Sequence, residues 1–295
     1  MNLLITGISG YVGKVLAEKL GVGNKIYAIG RTDPGLSQIK FFKSDISNKA
    51  SLTTIANSIN VNFDAVVHLA AHVPRVKVDD DLDQSTNVNV IGTKNILEVF
   101  DGRFDKFVMG SSAEVYDLSS TNGLIKESHA LGPKTYYGAT KLASEFMTLA
   151  YGHKNNTPVI ILRFSVMYGG YDPIERALPN FIQKALLGED IDLFAGSTLR
   201  DYVHQDDVVQ SIVRAVDSSG ANGIYNIGTG RGVPIVNAAL EIKKITNSNS
   251  NIIEHEGVIR DVVLDIERAH RDLAYEPNIN FPDNLKEMIS CYVER

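Results

Sequence analysis

The stretch "LLITGISGYVGKVLAEKL" near the start constrains this chain more than any other. An apolar run ends in a turn with glycines at 7, 10 and 13, and an amphipathic segment follows. Glycine permits the tight turn and the close approach of another group to the backbone. The first turn of the following helix offers N–H donors and the positive end of a dipole. Strand, glycine turn and helix in this order make the first crossover of a doubly wound α/β sheet, and the turn fits a dinucleotide pyrophosphate.

The alternation continues. Strand-like runs are "NLLIT" (2–6), "KIYAI" (25–29), "IKFF" (39–42), "AVVHLA" (65–70), "KFVMGS" (106–111) and "PVIILRF" (158–164), with helical patterns at 11–20, 84–100 and 137–151. Near-continuous apolar strands separated by helices call for a Rossmann-like parallel sheet covered on both faces. After about residue 165 the rhythm loosens. A helix around 175–188, a strand near 191–194, a helix at 206–217, the strand "GIYNIG" and two more helices are expected. The predicted organisation is a dinucleotide-binding domain of about six βα units, from residues 1–165 with about 200–230. A smaller, discontinuous substrate-binding lobe is expected from about 166–199 and 231–295.

A net charge of −6 and a pI near 5.7 argue against a nucleic-acid or anionic-membrane surface. The single cysteine, Cys291, excludes an internal disulfide and a Cys-rich zinc site and fits a reducing compartment. No apolar run is long enough to span a bilayer, and "MNLLITG" enters a strand with no leader pattern. A soluble, cytoplasmic protein with no resident metal is expected.

The end of the second strand, "YAIGRTD", should meet the adenosine ribose of the dinucleotide. An acid there suits the 2′-hydroxyl of NAD, an arginine the 2′-phosphate of NADP. Gly30 holds the usual acid position and Arg31 follows, which favours NADP; Asp33 reaching back would instead serve NAD. Further on, Tyr137 and Lys141 stand four residues apart at the start of a helical pattern, so phenol and ammonium share a face.

Together, "TGISGYVG", "SDI" (44–46), "HLAA" (68–71), "NVIGT" (89–93), "GSSAEVY" (110–116) and the Tyr137–Lys141 pair occur in an order and spacing that resemble the extended short-chain dehydrogenase/reductase family. The match is closest to its nucleotide-sugar epimerase/dehydratase branch and continues into "RDYVHQDDVV" and "YNIGTG". The resemblance implies an NAD(P)-dependent enzyme acting at C4 of a nucleotide-linked sugar. The first choice is an NADPH-dependent 4-keto reductase and the alternative a 4-epimerase with retained NAD; a 4,6-dehydratase or a non-catalytic cofactor sensor ranks below both. A homodimer is expected.

Residue by residue, the resemblance makes Tyr137 the general acid/base, Lys141 the cation that lowers the phenol's pKa and binds the nicotinamide ribose, and Ser112 the hydroxyl that holds the reacting oxygen. Cofactor contacts fall on Gly7, Gly10, Tyr11, Val12, Gly13, Arg31, Asp45, Ile46, Leu69, Ala70, Ala71 and Asn89. Asp45 could instead cap the next helix. Glu114, Val166, Arg200 and Arg260 fall on the substrate side, the two arginines gripping the diphosphate. Four positions depart from the family pattern. Ala113 removes one acid of the dehydratase pair, Val166 replaces a substrate-contacting Asn, Gly170 stands where Pro is common, and Asp117 replaces a glycine.

Overall fold

The computed structural model describes residues 1–74, 81–119, 123–172 and 176–294. The first half runs β1 (Asn2–Thr6), α1 (Tyr11–Gly21), β2 (Lys25–Gly30), β3 (Ile39–Lys43), α2 (Lys49–Ser58) and β4 (Ala65–His68). After α3 (Leu82–Ser85) come a π-helical segment (Thr86–Gly92), α4 (Thr93–Val99), β5 (Phe107–Ser112), a 3-10 turn (Ala113–Val115), α5 (Tyr136–Asn155) and β6 (Val159–Phe164). The second half holds β7 (Val166–Tyr168), α6 (Ala177–Leu187), β8 (Ile191–Phe194), β9 (Leu199–Arg200), β10 (Tyr202–His204), α7 (Gln205–Asp217) and β11 (Gly223–Ile227). It closes with β12 (Val233–Pro234), α8 (Ile235–Ile245), β13 (Ile252–His255), α9 (Glu267–Leu273) and α10 (Phe281–Val293).

Seven strands form one parallel sheet in the order β11-β6-β5-β4-β1-β2-β3. Strands β4 and β6 are buried at every residue, as the absence of polar alternation predicts for strands covered on both faces. One apolar cluster joins the sheet to α1, α7 and α9, and a second joins it to α2 and α4. The chain order reverses beside β1, which pairs β2 on one side and β4 on the other. Ligands of such sheets bind in the crevice beyond the strand ends at this switch point, and the glycine turn lies there.

A third cluster packs α6, α8 and α10 around β8 and Tyr202, away from the main sheet. The two-stranded pairs β7–β10, β9–β12 and β8–β13 belong to this part of the chain. The fold is thus the expected Rossmann-like α/β sheet with smaller C-terminal sheets. Two element expectations need correction. The pattern at 84–100 predicts one helix, but the structure widens it at the π segment, where the Asn89 carbonyl accepts from the Thr93 and Ser144 hydroxyls. Three helices, not two, follow β11, because seven-residue α9 is too short to show a period. Residue 175, the expected start of the 175–188 helix, lies outside the described residues. Among the described residues no helix is long and apolar enough to cross a membrane.

Candidate active site

The turn after β1 is shaped by what its glycines lack. Gly7 has φ +76°, and a Cβ there would stand 2.6 Å from the backbone of Leu69 and Ala70. A Cβ on Gly13 would lie 2.2 Å from the Gly7 carbonyl oxygen. These contacts seat β1, the start of α1 and the 69–70 backbone against one another. Gly10, the N-cap of α1, has no side chain to satisfy the first-turn N–H groups, and that turn holds no acid. An uncapped helix start beside a close-packed glycine turn fits a dinucleotide's pyrophosphate. Tyr11 and Val12 follow on α1, with Val12 in the core.

Arg31 is exposed just past β2, beside Gly30. Asp45 does not cap α2. Its Oδ1 accepts from the Ser47 N–H at 2.9 Å and the Ser47 hydroxyl at 2.7 Å, while Asn48 provides the cap. Ile46 is buried in the core. Asn89 holds the loop after β4: its Oδ1 accepts from the His72 N–H at 2.7 Å, and its Nδ2 donates to the His72 carbonyl at 3.2 Å and the Thr140 hydroxyl at 3.0 Å. Ala71, half-buried, lies in that loop.

A buried polar chain links β1 to this region. The Thr6 hydroxyl meets His68 Nδ1 at 2.8 Å, and His68 Nε2 meets the Thr93 hydroxyl at 2.9 Å. Thr93 donates to the Asn89 carbonyl, so it accepts from His68, which places the imidazole proton on Nε2. Burial first, and then Lys141, push the His68 pKa down to about 3, so the ring is neutral.

Across the crevice, Ser112 ends β5 and Tyr137 sits in the first turn of α5, joined by a side-chain hydrogen bond. Thr135 caps α5 by accepting from the Gly138 N–H at 3.0 Å and donates to Glu114 Oε2 at 2.8 Å. Lys141 is 4 % exposed, one turn below Tyr137, and its Nζ donates to the Gly110 carbonyl at 2.6 Å. Burial lowers its pKa to about 8, opposed by Glu145.

The electrostatics at Tyr137 differ from expectation. Burial and then the Glu114 carboxylate push the phenol pKa up to about 12, while Arg176 and the Ser112 hydroxyl pull the other way. The resting phenol therefore carries its proton. Lys141 donates to a backbone carbonyl and is not among the groups that set the resting phenol's pKa.

On the far side, the Arg200 guanidinium donates to the Arg260 carbonyl at 2.6 Å and the Leu199 carbonyl at 3.0 Å. Arg200 is half-buried and Arg260 exposed, and the contact between them is from the Arg200 guanidinium to the Arg260 backbone. Asp201 does not pair with Arg200. Its carboxylate accepts from Thr229, Gly230 and Leu264, and burial still raises its pKa. Val166 is half-buried in β7, paired with Tyr202.

Sequence reasoning missed Thr135 and Arg176. A Thr immediately before an amphipathic run is a readable N-cap signal, whereas nothing near Arg176 in the sequence marks it.

A dinucleotide cradle facing a Ser–Tyr–Lys cluster across the switch point of a parallel sheet defines a Rossmann-type enzyme. The chain belongs to the NAD dependent epimerase/dehydratase family, whose profile matches residues 3–228. It is 26% identical over 322 residues to a dTDP-glucose 4,6-dehydratase of Actinoplanes sp., spanning 99% of this chain and 98% of that one. It is also 26% identical over 319 residues to a trifunctional UDP-glucose 4,6-dehydratase/UDP-4-keto-6-deoxy-D-glucose 3,5-epimerase/UDP-4-keto-L-rhamnose-reductase of Arabidopsis thaliana; 99% of this chain spans 47% of that enzyme. Among solved structures, a Thermotoga maritima UDP-glucose 4-epimerase with UDP-glucose superposes with a TM-score of 0.90 at 24% identity, covering 100% of this chain and 99% of that one. A Bacillus cereus UDP-glucuronic acid 4-epimerase in complex with UDP-glucuronic acid and NAD gives 0.88 at 24%, with the same coverage.

Proposed function

We propose that this enzyme reduces a nucleotide-linked 4-keto sugar at C4 with NADPH. The observation that carries this reading is Arg31, exposed just past β2 where an arginine suits the 2′-phosphate of an exchangeable NADPH, with Tyr137 hydrogen-bonded to Ser112 as the proton donor. A tyrosine carries its proton at neutral pH, so Tyr137 can act as the acid that net reduction needs. When bound, the reduced dinucleotide would supply hydride to C4. Ser112 Oγ orients the carbonyl oxygen, and Tyr137 Oη gives that oxygen its proton, leaving phenolate to be reprotonated from solvent. Lys141 in its cationic form stabilises the phenolate and binds the nicotinamide ribose. Backbone groups of Gly7, Gly10, Tyr11, Val12 and Gly13 hold the pyrophosphate, the Tyr11 side chain being turned towards Gly169, with Asp45, Ile46, Leu69, Ala70, Ala71 and Asn89 along the dinucleotide. Glu114, bonded to Thr135, serves as a positioning acid.

Residues 1–165 with about 200–230 are assigned to the dinucleotide, and about 166–199 with 231–295 to the nucleotide sugar, where Arg200 and Arg260 face the diphosphate beside Val166. An exposed stripe on α5, with Tyr136 at 49% and Phe146 at 55% exposure flanking exposed Ala139 and Ala143, supports a homodimer. The unpaired Cys291 suits the cytoplasm.

The exposed Arg31 supports NADP. Arg31→Ala should weaken NADP binding by about 1.5–3 kcal/mol, the worth of a charged hydrogen bond, with little effect on NAD. Equal losses by calorimetric titration would remove the NADP assignment. A 4-epimerase with retained NAD is the second reading, favoured by the NAD in similar folds such as the Bacillus cereus structure. Mass spectrometry of natively purified protein separates the two: tightly held NAD favours the epimerase.

A further inference from the structure

Tyr11 opens α1. Its side chain leaves that neighbourhood: the hydroxyl donates to the carbonyl of Gly169, which begins the connection from β7 towards α6. Gly169 and Gly170 both have left-handed backbones, with φ 113° and 54°. Gly169 fits only without a side chain, since a Cβ there would lie 2.5 Å from His204 Nε2. The far end of this short segment is also held by a tyrosine. The Tyr292 hydroxyl, from α10, donates to the Asp172 carbonyl at 2.9 Å, and the rings of Tyr171 and Tyr292 lie 5.0 Å apart.

Residues 169–172 are therefore tied at one end to the glycine turn and at the other to the C-terminal helix. The buried Asp172 carboxylate faces Arg176 Nε at 3.7 Å, and Arg176 is one of the charges felt by Tyr137. Burial and then Asp172 hold the Tyr11 phenol far above its usual pKa, so it stays a donor at any working pH.

We propose that Tyr11 is a positioning residue that transmits occupancy of the dinucleotide cradle to residues 169–172, and so to the Arg176 side of the substrate crevice. This rests on the dinucleotide part of the proposed function, not on the identity of the sugar. An anion seated on the first turn of α1 fixes the Tyr11 backbone, and its hydroxyl then fixes the Gly169 carbonyl. Two consecutive glycines are the most freely moving backbone available, so ordering them beforehand reduces what a second ligand must order. Coupling of this kind is reciprocal.

Hydrogen–deuterium exchange of the full chain tests this, with wild type, Tyr11→Phe and Tyr292→Phe measured alone and with saturating NADP or NAD. In wild type, the dinucleotide should slow exchange in residues 7–13 and also in 166–172, the latter by about three- to tenfold, the share of one ordinary hydrogen bond. Tyr11→Phe should keep the protection at 7–13 and lose the ligand-dependent part at 166–172. Tyr292→Phe should speed exchange at 166–172 in both states yet keep a ligand-dependent difference, and a merely structural role for Tyr11 would make Tyr11→Phe behave in the same way. The proposal is overturned if Tyr11→Phe protects 166–172 as wild type does, or if wild type protects 7–13 alone. If neither dinucleotide protects 7–13 in wild type, the dinucleotide assignment itself fails and the coupling falls with it.

Discussion

Glu145→Gln should be among the most damaging single changes that leave side-chain volume intact. Glu145 accepts from Arg163 Nη2 at 2.6 Å, from Arg163 Nε at 3.0 and 3.2 Å, and from the Ser111 hydroxyl at 2.5 Å. Both side chains are 1% exposed, and the guanidinium lies 4.7 Å from the Tyr116 ring centroid. An amide in place of the carboxylate presents donors to a donor and leaves a guanidinium buried without its counter-charge. Breaking such a pair from one side costs about 3–5 kcal/mol, against a total of about 5–15 kcal/mol for a typical protein. At about 2–4 °C per kcal/mol for a chain of this size class, the melting temperature should fall by about 6–20 °C. Urea and thermal unfolding at neutral pH provide the measurement. The apolar pair Glu145→Leu with Arg163→Met should recover most of the loss, because it removes both desolvated charges together. A loss under about 1 kcal/mol in Glu145→Gln, or a double variant no better than the single, would refute the reasoning.

Two further outcomes follow from the site. The Lys141 pKa, held at about 8 by burial, implies that kcat/KM falls as pH rises through about 8 and the cation is lost. Stability from this group should move oppositely, rising between about 8 and 10.5, because the unfolded chain binds the proton that the folded one has released; a flat kcat/KM from about pH 7 to 9 would contradict both the charge and the role. Arg200→Ala should lower kcat/KM for a nucleotide-linked sugar roughly ten- to hundredfold, the worth of a charged hydrogen bond. The same change should leave an already poor free sugar unaffected, since remote binding energy serves to position C4; steady-state assays with equal losses for both sugars would remove Arg200 from the diphosphate.

The sheet was legible because its signals are local. The boundaries of β1 and β8 can be read from short apolar runs, and the glycine turn falls where a strand pattern gives way to a helical one. The Tyr137–Lys141 spacing was equally local, but the direction of the Tyr137 pKa was not. It depends on burial first, and then on Glu114, which raises it from 23 residues upstream, and Arg176, which lowers it from 39 residues downstream. At the π segment, Thr86–Gly92, the Asn89 carbonyl accepts from the Thr93 hydroxyl one turn on and from the Ser144 hydroxyl of α5, which a periodicity of 3.6 does not register. The Asp201 hub and the Tyr11 and Tyr292 ties on residues 169–172 likewise join segments far apart in the chain, so only the assembled fold displays them.

Hydride transfer with proton donation by Tyr137 is tested most directly by isotope. A nucleotide-linked 4-keto sugar is incubated with NADPH carrying deuterium at both C4 positions of the dihydronicotinamide, and the product is read by mass spectrometry. One deuterium should appear on the sugar at C4 per turnover. Tyr137→Phe should bind NADPH within a few-fold of wild type yet deliver deuterium about 10²–10⁴-fold more slowly, the usual contribution of a positioned proton donor. Unlabelled product, or near-normal labelling by Tyr137→Phe, would contradict the account.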